Sequence, residues 1–118
     1  MKKKGNNFSR KKVNILGVNF EKIDLETTVK KIEELIKKGG CYQLGTLNPE
    51  YLVKAQTSKQ LMRVIAKMEL IVPDGIGVIW AARFQGVKGL KRVRGGDLVE
   101  RLAEVCAQKG YKIALVWY

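Results

Sequence analysis

Histidine is absent from the 118 residues, and cysteine appears only as Cys41 and Cys106. Without histidine the usual zinc sites cannot be assembled, and the two cysteines lack metal-ligand spacing. Both read as small, buried, reduced residues, which fits a cytoplasmic protein. No run of 18 or more apolar residues occurs, so no membrane-spanning helix is expected. The basic N-terminus leads into polar residues, which excludes reading it as a secretory signal. A G-x-x-x-x-G-K-[ST] loop is missing, and Gly75-Ile76-Gly77 lacks the third glycine of a dinucleotide fingerprint. Acid is scarce too. Eleven Asp and Glu face 23 Lys and Arg, for a net charge of +12.

Half of that excess sits in residues 1–12, where Lys2, Lys3, Lys4, Arg10, Lys11 and Lys12 stand without an acid. With Gly5, Asn6, Asn7 and Ser9 this reads as a disordered basic tail. It is either a solvated solubility tail or an attractor of polyanions such as phospholipid headgroups, nucleic acid or a pyrophosphate substrate. The remainder, 13–118, is enough for one domain and not for two.

Val13 to Phe20 is β-branched and apolar with a break at Gly17, which predicts a strand that turns into a short hairpin through Ile23. Asp24 is a good N-cap, and Leu25, Val29, Ile32, Leu35 and Ile36 recur at helical spacing up to Gly39-Gly40. Cys41 to Leu47 reads as a second strand, ended by Asn48-Pro49. A helix carrying Tyr51, Leu52 and Ala55 follows, and Ser58 caps another. Leu70-Ile71-Val72 has the continuous apolar run of a buried parallel strand. Ile76 to Phe84, with Trp80, reads as a buried helix. Gly95-Gly96-Asp97 opens a helix that Lys109-Gly110 closes, and Tyr111 to Tyr118 reads as a last strand. Strands alternating with helices predict an α/β domain: a Rossmann-like, mostly parallel open sheet with helices on both faces. Nothing follows the last strand to cover it, so either another chain does or the domain is truncated.

In such sheets ligands bind beyond the carboxyl ends of the strands. That rule selects Thr46-Leu47-Asn48 and Pro73-Asp74-Gly75, which should share one edge. Asp74 follows a buried strand, and Gly75 lets a ligand approach the backbone; the plainer role for Asp74 is an N-cap. Thr46 and Asn48 can hydrogen-bond a polar substrate, or simply make an Asx-type turn. Arg92-Val93-Arg94-Gly95-Gly96-Asp97 joins forked donors to a helix start, which suits an anion. Asp97 there can equally be a first-turn acid.

Together these segments are less ordinary. Asn48-Pro49-Glu50, Val72-Pro73-Asp74-Gly75-Ile76-Gly77-Val78 and Arg92 to Leu98, preceded by Ile15-Leu16-Gly17-Val18, resemble the WecG/TagA/CpsF glycosyltransferases over roughly residues 13 to 115. The resemblance implies an inverting transferase that moves an N-acetylhexosamine, N-acetylmannosamine above all, from a UDP donor. The acceptor would be an undecaprenyl-pyrophosphate-linked sugar in cell-envelope polymer synthesis of the wall teichoic acid type. It implies work at the inner face of the membrane as a peripheral protein. It further implies Asp74 as catalytic base or essential acid, with Thr46 beside it in the pocket and Asn48 in the same motif. Arg92, Gly95 and Asp97 fall on the Arg-x-x-Gly-x-Asp pattern that borders the pocket. No metal and no cofactor is expected. Members of that family continue beyond the point where this chain ends, into a glycine-rich loop where Trp117-Tyr118 stand here.

The competing readings are a basic module binding membrane or nucleic acid, and an inactive fragment that pairs with itself or another chain through its last strand. The aromatic residues are scattered through the expected core, not interleaved with Lys and Arg, so no specific nucleic acid partner is expected.

Overall fold

The computed structural model describes residues 12–116. The expectations for the basic tail up to Lys11, and for Trp117-Tyr118, lie outside these residues.

The chain opens with an antiparallel hairpin of β1 (Lys12–Ile15) and β2 (Val18–Glu21), so Lys12 belongs to the first strand. Leu16 and Gly17 turn it with φ of 52° and 86°, the pair of positive values that a two-residue primed turn needs. Glycine takes that conformation without strain, whereas Leu16 does so at a cost of roughly 1–2 kcal/mol. The Gly17 amide donates to Asn14 Oδ1 at 3.2 Å, and the Asn14 side-chain amide donates to Asn19 Oδ1 at 2.9 Å.

Helix α1 (Leu25–Lys38) starts where expected. Asp24 Oδ1 accepts from the Thr27 amide at 2.8 Å, which holds the Asp24 carboxyl below its ordinary pKa. Its acid Glu33 reaches across to Lys109 at the end of the last helix, pairing two elements far apart in sequence. Strand β3 (Leu44–Leu47) leads through Asn48 into α2 (Pro49–Gln56), and Ser58 caps α3 (Lys59–Ala66). Strand β4 (Leu70–Pro73) lies parallel to β3, with Thr46 opposite Val72 and Leu47 opposite Pro73. Helix α4 (Ile76–Phe84) follows at once, and α5 (Gly95–Lys109) ends on Gly110 in the left-handed conformation.

The parallel pair is covered on both faces, and period-two alternation shows how. Leu70 and Val72 face one apolar cluster with Val29 of α1 and Val93, Leu98 and Val105. Ile71 faces the other, with Phe20 of the hairpin, Leu52 and Ala55 of α2, Ile65 of α3 and Val78, Ile79 and Ala82 of α4. The hairpin packs beside β4 through β2 without joining its ladder.

Several expectations need correction. The described residues form two separate two-stranded sheets, one antiparallel and one parallel, not one mostly parallel open sheet. Residues 111–116 are not a strand, because a run of apolar residues becomes a strand only where an edge pairs with it. Helix α4 is buried on one side only: Trp80 is 63% exposed and Phe84 95%. Cys41 is exposed while Cys106 is buried, both as free thiols.

Candidate active site

The carboxyl ends of β3 and β4 bring Thr46, Asn48 and Asp74 to one edge. The Asp74 amide donates to Leu47 O at 2.9 Å, which extends the ladder one step past Pro73 and fixes the start of the turn. From the other side, the Val93 amide donates to Pro73 O at 2.7 Å and brings the Arg92 to Gly95 segment against the same edge.

Asp74 is not a helix cap. The N-cap of α4 is Gly75, with no side-chain capping bond. The Asp74 carboxylate instead crosses to the start of α5, where the Gly95 amide donates to Oδ2 at 3.0 Å. Arg92 Nε stands 3.8 Å from Oδ1. The Asp74 side chain remains 28% exposed, so the carboxylate is held in place yet reachable. A carbon atom attached at Gly95 would lie 3.2 Å from Thr46 Oγ1 and 3.4 Å from Asp74 Oδ2. The hydroxyl, the carboxylate and the α5 amide therefore converge on one point, and glycine at 95 leaves that point open.

Beside it lies a cavity of about 300 Å³, lined by Thr46 and Gly95 together with Thr28, Ile32, Leu44, Leu70, Val72, Leu98, Val99 and Leu102. Its wall is mostly apolar, with Thr28, Thr46 and the Gly95 backbone as its polar members. An apolar recess with a few converging polar groups is the usual form of a small-molecule site.

The remaining expected site residues are placed differently. Asn48 spends its side chain on structure: Oδ1 accepts from the Tyr51 amide at 3.1 Å and caps α2. Asp97 is exposed in the first turn of α5, where it complements the helix dipole. Gly75 sits at φ 142°, and a Cβ there would come within 2.9 Å of Pro49 Cδ. A Cβ on Gly77 would come within 2.9 Å of Pro49 Cγ. The Gly75-Ile76-Gly77 spacing thus has a use that its failure as a nucleotide fingerprint hid. It seats the Pro49 ring between two glycines and locks the Asn48 turn onto the Asp74 turn. Pro49 and Gly77 were missed as site-building residues. Two glycines flanking one residue, just after a strand, is the signal for such close backbone approach. The lining residues Leu44, Leu98 and Leu102 carried no signal beyond ordinary core periodicity.

Chemically, a fixed and partly solvated carboxylate can take a proton from a bound hydroxyl. The neighbouring guanidinium can meet an anion.

Comparison with known proteins gives the family. Residues 13–116 match the Glycosyl transferase WecG/TagA/CpsF family. The chain is 31% identical over 72 residues to an N-acetylglucosaminyldiphosphoundecaprenol N-acetyl-beta-D-mannosaminyltransferase of Bacillus subtilis (strain 168), covering 61% of this chain and 28% of that protein. It is 31% identical over 68 residues to the protein of the same name from Bacillus spizizenii (strain ATCC 23059 / NRRL B-14472 / W23), covering 58% of this chain and 26% of that protein. The aligned stretch thus spans little more than a quarter of the curated relatives' length. With nearly all the described residues inside the match, the chain belongs to the WecG/TagA/CpsF family of glycosyl transferases.

Proposed function

We propose that this chain carries the acid/base part of the active site of an N-acetylmannosaminyltransferase. The donor would be a UDP-linked N-acetylhexosamine, and the acceptor an N-acetylglucosamine on undecaprenyl diphosphate, in teichoic-acid-type envelope synthesis. The observation that carries the proposal is the convergence of Thr46, the Asp74 carboxylate and the Gly95 amide beside an apolar recess that Thr46 and Gly95 line. The names of the two relatives supply the sugar and the lipid-linked acceptor.

In this reading Asp74 removes the proton from the acceptor hydroxyl as its oxygen attacks the anomeric carbon. The bond from that carbon to the UDP oxygen breaks as the new glycosidic bond forms, with inversion. Arg92 and the first amides of α5 lie where they can meet negative charge growing on the leaving diphosphate. Thr46 orients the hydroxyl, Gly95 keeps the approach open, and Gly75 holds the Asp74 turn against Pro49. Asn48 supports the site by fixing the turn, and Asp97 borders it from α5. No step is routed through a metal or a cofactor. Work at the cytoplasmic face of the membrane follows from the lipid-linked acceptor. Among the described residues no helix is long and apolar enough to cross a bilayer, which leaves peripheral attachment for this part.

The test is transfer from UDP-N-acetylmannosamine to the lipid-linked acceptor by the wild-type chain and by Asp74→Asn. Removing a general base should slow transfer by about 10²–10⁴-fold. Stability should change by less than about 1 kcal/mol, because a partly exposed ion pair contributes little and Asn still accepts from the Gly95 amide. Equal turnover in the two proteins would refute the role of Asp74.

A further inference from the structure

Helix α4 begins two residues after Asp74 and is apolar almost all the way round. One arc is spent on the core, through Val78, Ile79 and Ala82. The opposite arc carries Ile76, Trp80 and Phe84 at i, i+4 and i+8, exposed by 54, 63 and 95%. Side chains at that spacing stand in one row. Nothing polar interrupts the row, and Arg83 flanks it. A helix that is apolar on both sides either is buried or lies against an apolar medium.

The charge around the row identifies the medium. From Gly75 to Gly96 the sequence has no acid, while Arg83, Lys88, Lys91, Arg92 and Arg94 supply five positive charges. Exposed Trp, Phe and Ile on one helix face, flanked by Arg83 and followed in sequence by a stretch whose charges are all basic, is the pattern of a helix that lies in a membrane interface. We infer that the Ile76-Trp80-Phe84 face of α4 docks onto an anionic phospholipid surface. The aromatic rings enter the headgroup boundary, and Arg83, Lys88, Lys91 and Arg94 contact the lipid charge. This surface needs no sugar chemistry and stands whether or not the transferase proposal holds. If both hold, docking sets the Asp74 turn beside the bilayer that carries the acceptor.

Vesicle binding tests it without any transfer reaction. Trp117→Phe leaves Trp80 as the sole indole, and its emission is followed while vesicles of phosphatidylglycerol and phosphatidylcholine are added. Expected are a blue shift, quenching by lipids brominated near the headgroup, and weaker binding as salt is raised. Trp80→Ser/Phe84→Ser should reduce vesicle partitioning on the order of 10–100-fold while circular dichroism stays unchanged. Unshifted and unquenched Trp80 emission on bound vesicles would overturn the inference, and this readout needs no substitution on the helix. Undiminished binding of the double variant would also overturn it, by assigning attachment to another segment. Equal binding to pure phosphatidylcholine would do the same. So would self-association in the absence of lipid that Trp80→Ser/Phe84→Ser abolishes, because a second copy would then be the occupant.

Discussion

Gly77 and Gly96 are each the second residue of a helix, and neither has a positive φ. In an otherwise empty setting, alanine at either position should stabilise the chain by up to about 1 kcal/mol through helix propensity and a less flexible unfolded state. Gly96 has that empty setting, since nothing lies within 4 Å of a Cβ built there. Gly77 does not. Its Cβ would meet Pro49 Cγ at 2.9 Å and Pro49 Cβ at 3.7 Å. Pro49 cannot swing aside, because its ring is closed onto the backbone at the first position of α2. Forcing a methyl into such a contact costs about 1–3 kcal/mol. Gly96→Ala should therefore stabilise and Gly77→Ala destabilise, with about 1–3 kcal/mol between them. Urea unfolding measures the difference directly, and in a thermal melt each kcal/mol should move the midpoint by roughly 4–8 °C. Pro49→Ala should rescue Gly77→Ala in a double-mutant cycle, since the two side chains share one contact. Equal midpoints for Gly77→Ala and Gly96→Ala would refute the close approach of the Asn48 and Asp74 turns.

Other residues give shorter predictions. Asn48→Ala removes the α2 cap and should cost about 0.5–2 kcal/mol in a denaturant melt, with transfer affected through the displaced turn. Gly95→Ala should leave the fold intact but crowd Thr46 Oγ1 and Asp74 Oδ2, so transfer falls more than stability does. Glu21 tests the pH dependence. Its side chain is 3% exposed, Lys12 Nζ stands 3.5 Å from Oε2, and Oε1 has no partner among the described residues. Burial raises its pKa above the ordinary value of 4.5, with Lys12 opposing that rise. The folded state thus binds the proton more tightly than the unfolded chain. The stability this adds is complete below pH 4.5 and is lost as pH climbs through the raised folded value. Glu21→Gln should flatten that decline in melts taken across mildly acidic to neutral pH. An unchanged pH profile would show that Glu21 is not desolvated.

Much of this architecture is written locally. Asp24, Asn48 and Ser58 mark their helix starts because a short oxygen-bearing side chain can serve a free amide only there. The three continuous apolar residues at 70–72 mark a strand covered on both sides, and the structure splits them between two clusters. The common edge of Thr46 and Asp74 followed from the rule for parallel strands. What could not be read depends on partners distant in sequence. The apolar pattern of α4 says that it can be buried, but not which arc finds a neighbour. The Tyr111 to Val116 run can be a strand only with an edge to pair with. Asp74 looked as much like a cap as like a site acid, and only its bond to Gly95, 21 residues on, shows that it does not cap the helix after it.

The seat of Pro49 between Gly75 and Gly77 also bears on how this site can be altered. The two turns it joins behave as a single casting. A larger residue at 77 is admissible only with a smaller one at 49, and at 75 the φ of 142° strains any side chain whatever stands at 49. If the proposed transferase site is right, room for a bulkier sugar would come from the recess wall that Val99 and Leu102 of α5 line. Efforts to reshape the recess should begin on that helix and leave the seam untouched.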